Sequence, residues 1–196
     1  MKASIAQPAL KSPPAESRRA ACRAAHRRGV VTLWTVLVIP FVLAIFCAVL
    51  EVKHLWQGRV QLDGAMQAAA LASVQEWAER GGTAQQVAAA ESLGKEYALA
   101  NTIHGVPVDL DDQAIVPAVA WAFGTGTRRG TGFDFTANRN AGADLTVVLQ
   151  ATVRVPALFP PIFGRWIADP TVSVRTAAYY DRSVRPPRPR LILLNN

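Results

Sequence analysis

Between the doublet Arg27-Arg28 and Glu51 the chain runs for 22 residues, Gly29 to Leu50, without a single charge. In a helix that rises about 1.5 Å per residue, such a run crosses the roughly 30 Å hydrocarbon core of a bilayer. The core helix of a water-soluble domain is shorter and keeps a polar stripe. This run is apolar all round apart from Thr32 and Thr35, whose hydroxyls can bond back to their own helix carbonyls. Pro40 in its middle is tolerated in lipid, where it makes a local kink. The run is too long for the apolar region of a cleaved secretory signal, and no clean small-x-small cleavage site follows it. The pattern therefore predicts an uncleaved signal anchor over residues 29–50.

Charge sets its expected orientation. Seven Lys and Arg against one acid precede the run, and fourteen against thirteen follow it. Basic residues close to a span stay cytoplasmic, so Arg27 and Arg28 are the topology determinants, and residues 51–196 are expected outside. The formal net charge of +7 then belongs mostly to the N-terminal tail. That placement argues against a nucleic-acid partner and makes the lipid bilayer the first partner. The cysteines fit the same plan. Cys22 falls in the cytoplasmic tail and Cys47 in the span, leaving the exported part without a disulfide to fold around.

Residues 1–28, rich in Ala, Pro, Ser and Arg, show no hydrophobic period and are expected to be disordered. Beyond Glu51, Leu55, Leu62, Met66, Ala69, Ala70, Val74 and Trp77 recur at three- and four-residue spacing, which predicts an amphipathic extension of the span. Gly81-Gly82 is a fitting helix end. Thr83 and Gln86 form a capping-box pattern for a second helix to about Ala100, with Val87, Ala90, Leu93 or Gly94, and Tyr97 on its apolar face. The period then changes to two. Ile115, Val119, Trp121 and Phe123 alternate, but Pro117 marks an edge strand at best. Leu145, Val147, Leu149, Ala151, Val153 and Val155 form one face of a clear strand, with Val148 out of pattern on the other, and Val172 to Tyr180 repeat the alternation. The apolar segment Pro156 to Pro170 joins these two strands. Arg185 to Arg190 reads as polyproline II. The fold class is α+β: a single N-terminal transmembrane helix, extended by an amphipathic helix, packed on an antiparallel sheet. The expected divisions are a cytoplasmic tail at 1–28, the span at 29–50, an exported domain at 51–183 and a Pro/Arg-rich tail at 184–196.

Catalytic patterns are missing from the residues. No HExxH, Cys/His cluster or GxSxG elbow occurs, so no catalytic, cofactor-binding or metal-binding residue is assigned. His104, alone in a helix-to-strand loop, reads as a solvated side chain. Asp109, Asp111 and Asp112 lack the glycine and downstream glutamate of a calcium loop and read as a turn. The run Gly124 to Gly132 has no Walker lysine and no following helix, so it reads as a flexible loop between strands. Leu158, Phe159, Ile162, Phe163 and Trp166 read first as a lid folded on the sheet. The rival reading makes the segment, with Phe159 and Trp166, an exposed apolar loop that docks another envelope protein or dips into the outer leaflet.

The order of features resembles the TadE/TadG-like family of tight-adherence (Flp) pilus assembly proteins. The residues that carry it are Arg27-Arg28-Gly29-Val30-Val31, the span with Pro40, Glu51-Val52-Lys53-His54-Leu55-Trp56, and the small-residue helix Gln61 to Ala72. Leu145 to Val148, Val153 to Pro156 and Val172 to Ala177 extend it. The resemblance implies a bitopic protein of the bacterial cytoplasmic (inner) membrane, N-terminus inside and C-terminal domain outside, that helps assemble or anchor a pilus or secretion machine. Pilins of that system are cut after a glycine and carry a glutamate five residues on. Counting from Gly29, Trp34 stands there instead, so no prepilin-peptidase processing is expected.

The leading function is accordingly a non-enzymatic assembly protein that works by packing, its partners other envelope or pilus assembly proteins or a second copy of itself. Small residues permit close helix approach, which makes Gly58, Ala65, Ala69 and Ala72 the candidate partner-binding positions. The alternative is a membrane-anchored binding module for an anionic envelope polymer or acidic partner, through Arg128, Arg129, Arg139 and the Arg185–Arg190 tail.

Overall fold

The structure, a computed structural model, describes residues 15–129, 132–142, 144–159 and 170–192. The chain divides into two compact units, Met1–Ala48 and Val49–Asn196.

Helix α1 runs from Ala15 to Glu79 with Pro40 inside it. It begins within the stretch whose composition predicts disorder. The run Ala15 to Arg28 is dominated by alanine and arginine, both strong helix formers, and it continues the helix of the apolar run backwards. Residues 31–46 are all exposed. Among the described residues α1 is the one helix long and apolar enough to cross a membrane, and only 6% of its most apolar window is buried. A core helix would be mostly buried, so this one supports membrane anchoring.

In the second unit the same helix acquires a buried face. Leu62, Met66, Ala69, Ala70, Val74 and Trp77 of the expected face are fully buried, and Ala65 joins them, whereas Leu55, also expected there, is half-buried. The helix ends where expected. The Gly82 N–H donates to the Trp77 carbonyl at 2.8 Å and the Gly81 N–H to that of Ala78 at 3.2 Å. This is a Schellman closure, with Gly81 and Gly82 at φ +99° and +70°, where a side chain would be strained. The second helix starts differently from the capping-box expectation. A 3-10 turn, Ala84–Gln86, precedes α2 (Val87–Leu99), and Thr83 makes no side-chain cap. Asn140 takes that role from a distant loop, its Oδ1 accepting the Ala84 N–H at 2.9 Å. The buried face of α2 is Val87, Ala90, Gly94 and Ala98, while Tyr97 points outward.

Two antiparallel sheets follow. The smaller pairs β1 (Thr102–Ile103) with β2 (Val106–Pro107). His104 and Gly105 join them at φ +50° and +83°, as a primed two-residue turn requires. The larger sheet has β3 (Ala118–Arg129), β4 (Gly132–Ala137), β5 (Leu145–Arg154), β6 (Thr171–Asp181) and β7 (Arg188–Ile192), in the order β4-β3-β5-β6-β7. Val147 pairs with Phe123 on one side and Ala178 on the other. The helix-facing row is therefore Val119, Trp121 and Phe123 of β3, Leu145 to Val153 at alternate positions of β5, and Val172 to Tyr180 at alternate positions of β6. Trp77 meets Phe123 edge-on at 5.3 Å between ring centroids, and its indole N–H donates to the Thr83 carbonyl.

Three segments depart from expectation. The strand from Ala118 is internal, since Pro117 precedes it and costs it no ladder bond. The glycine-rich run is strand rather than loop: Gly124 to Arg129 pair with β4. A side chain at Gly126 would meet the Phe133 ring, and one at Gly124 the Thr136 carbonyl oxygen and then the Phe135 ring, so both glycines permit close approach of the next strand. Of the Arg185–Arg190 segment expected as polyproline II, Arg188 to Arg190 instead form, with Leu191 and Ile192, a strand paired with β6, and Pro189 is tolerated because β7 is an edge strand. Val148, out of pattern in sequence, is buried on the sheet's second face beside Ala122 and Ala177.

Candidate functional site

The small-residue face of α1 has a close partner within the chain. A Cβ placed on Gly94 would lie 2.1 Å from Ser73 Oγ, 2.6 Å from the Trp121 ring and 3.1 Å from the Ala69 carbonyl oxygen. Only glycine lets α2 approach α1 so closely. Ala65 and Ala69 are thus fully buried in the chain's own core, and Ala72 is half-buried. Gly58 is buried too, and a Cβ there would sit 3.1 Å from His104 Nε2 and 3.4 Å from Val155 Cγ2. Ser73 Oγ and Trp121 Nε1 are buried without a hydrogen-bond partner among the described residues.

The other face of α1 is open. Val52, Trp56 and Val60 are 67%, 65% and 57% exposed and stand four residues apart, hence on one side of the helix. Gly64 continues that line, with open space where its side chain would be. A shallow cleft of about 290 Å³ beside it is lined by Trp56, Arg59, Val60, Asp63 and Val174.

Two polar clusters tie loops to the start of this stretch. Glu51, 4% exposed, accepts the Leu158 N–H at 3.0 Å and the Phe159 N–H at 3.3 Å on Oε2. A carboxylate taking several backbone donors is a strong clamp, and it holds the beginning of the apolar segment to the first residue after the span. Leu158 is nevertheless exposed and Phe159 half-buried. Trp166 and the rest of 160–169 lie outside the described residues. Arg27 and Arg28 fall in the α1 backbone ahead of the span.

His104 forms the second cluster. Its ring stacks on His54 at 3.7 Å between centroids, Nε2 lies 3.1 Å from the His54 carbonyl oxygen, and its backbone N–H donates to Gln61 Oε1. Burial, and then the neighbouring His54, hold the His104 imidazole below its ordinary value of 6.5. The expectation of a solvated side chain fails because the β1–β2 turn lies against α1. Spacing along a single segment carries no signal for either cluster, since each joins residues more than forty apart in sequence.

The basic positions are dispersed. Arg139 is exposed, Arg190 pairs with Asp181 at 3.1 Å, and Arg182 donates to the Gly142 carbonyl. Among the described residues no group of three or more His, Cys, Asp or Glu is placed to hold a metal ion.

No curated protein and no solved structure matches the chain. Residues 29–76, the apolar run and most of the α1 extension, match the family model described as "Putative Flp pilus-assembly TadE/G-like", consistent with the TadE/TadG-like resemblance read from the sequence.

Proposed function

We propose that this chain is a single-pass protein of the bacterial cytoplasmic membrane, N-terminus inside and second unit outside, that acts without catalysis in assembling or anchoring a pilus or secretion structure. The observation that carries this reading is the division of α1 into two faces. Gly58, Ala65 and Ala69 seat the helix against its own domain. Val52, Trp56 and Val60 remain for a partner helix that leaves the same membrane, while Ala72, half-buried, lies on the Ala65 side of the helix. Small and β-branched positions on an exposed stripe suit ridge-into-groove packing, and Trp56 supplies the area that interface anchors favour. Phe159, whose N–H is held by Glu51, and Trp166 are further partner-contact positions in the proposal. The basic doublet Arg27-Arg28 supports the orientation, and the family match supports the assembly role.

In-cell cross-linking from positions 56, 60 and 72, followed by identification of what is captured, tests this reading. Recovery of pilus or secretion components is the expected result. Capture of nothing, or of lipid alone, from all three positions contradicts it.

A further inference from the structure

On one side of the larger sheet the strands end unevenly. β4 pairs with β3 only from Gly124 to Arg129, so Ala118 to Phe123 have no neighbouring strand on that side among the described residues. The last rung is the Asn138 N–H, which donates to the Phe123 carbonyl at 3.1 Å. The chain then leaves to cap α2 through Asn140. That rung fixes the direction of the others. Main-chain groups alternate sides along a strand, so Val119 and Trp121, like Phe123, direct N–H and C=O outward, while Ala120 and Ala122 direct theirs to β5. No hydrogen bond meets the Val119 or Trp121 backbone on the outer side among the described residues.

Native sheets blunt such edges with charge or proline. In this sheet β4 carries Asp134, the part of β6 that β7 leaves uncovered carries Arg175, and β7 carries Arg188, Pro189 and Arg190. Ala118 to Phe123 carry neither. Val119 and Trp121 flank the edge on the helix-facing side; Ala118, Ala120 and Ala122 flank it on the other, where Ala118 and Ala120 are exposed. Outward donors and acceptors at a two-residue repeat call for an extended backbone, which alone presents its own groups at that repeat. The lack of charge calls for an uncharged one, and the short alanine side chains leave room beside them for large apolar residues.

We propose that this edge is a strand-addition site, taking an extended, uncharged segment of another protein in line with β4. The site lies wholly within the second unit. It rests neither on the membrane orientation nor on the α1 stripe of the preceding subsection.

Two measurements on the full chain test it. In purified protein, amide exchange at Val119 and Trp121 should run about a hundredfold faster than at Ala120 and Ala122. Equal protection would mean that the chain itself or a second copy already covers the edge, and overturns the proposal. In the native host, the photo-crosslinker p-benzoylphenylalanine in place of Ala120 is expected to capture a protein whose adducts map to one uncharged run. Val119→Pro deletes an outward N–H and spares the ladder to β5, so the thermal melt should hold while the adduct falls about tenfold. Ala118→Lys puts a charge beside the edge at an exposed position; it should also deplete the adduct, and it decides the matter if the proline variant melts early. Cross-linking from position 60 should be untouched by either change, which separates this site from the α1 stripe. No protein adduct, adducts within the chain or to a second copy, or an adduct that survives both substitutions overturns the proposal.

Discussion

One helix meets two environments. From residue 31 to 46, α1 exposes every side chain and is apolar on all sides. From Leu62 to Trp77 the same helix hides one face completely in its own domain and leaves the other wet. Lipid covers any apolar surface without regard to its shape. A protein core demands complementary volumes at close packing. The first half should therefore tolerate exchange among apolar residues, whereas the second should respond to single atoms.

The largest contrast is expected at Trp77. Trp77→Ala removes a fully buried side chain, the edge contact to Phe123 and the bond to Thr83, and should cost about 3–5 kcal/mol in thermal unfolding of the second unit. Leu37→Val, among the exposed residues, should leave that transition where it is. Equal losses would erase the comparison.

Overpacking comes next. Gly94→Leu and Ala69→Leu both push atoms into the crossing of α1 and α2, and each should lose about 1–3 kcal/mol. A stable Ala69→Leu variant that has lost its partner would return Ala69 to the partner-binding role expected from sequence.

A smaller effect is expected from pH. Because the folded state holds His104 below 6.5, the unfolded chain takes up its proton first as pH falls. Stability should be whole above that value and decline through the interval between it and the lower folded pKa, then level off as far as this group is concerned. His104→Gln should flatten that part of the profile in urea titrations. Persistence of the same slope in the variant would assign it elsewhere.

The smallest effect belongs to Ser73. Its hydroxyl is buried without a partner among the described residues, so Ser73→Ala should be neutral or stabilising by up to about 1 kcal/mol. A clear loss would mean that the hydroxyl is satisfied in solution.

What the sequence disclosed was local. The span needs only composition, the Gly81-Gly82 stop needs only the left-handed backbone that glycine supplies, and β5 needs only alternation. Features built across distance stayed hidden. The strand through Gly124 and Gly126 depends on the close approach of β4, the start of α2 on Asn140, and the edge strand β7 on β6 beside it. At the candidate site the small residues Gly58, Ala65 and Ala69 were legible as positions of close approach. Which surface approaches them was not, because Gly94 and His104 lie in other segments. Glu51 read as a boundary charge, and its clamp on Leu158 requires a partner 107 residues away.

Thiol accessibility tests the two-faced, outward-facing helix most directly. With Cys22 and Cys47 replaced by serine and alanine, Val60→Cys and Ala69→Cys are expressed singly, without partner proteins, and exposed to a membrane-impermeant maleimide on intact spheroplasts. Position 60 should label rapidly and position 69 only after denaturation. Rapid labelling at 69, or labelling at 60 only after the membrane is permeabilised, would contradict the account.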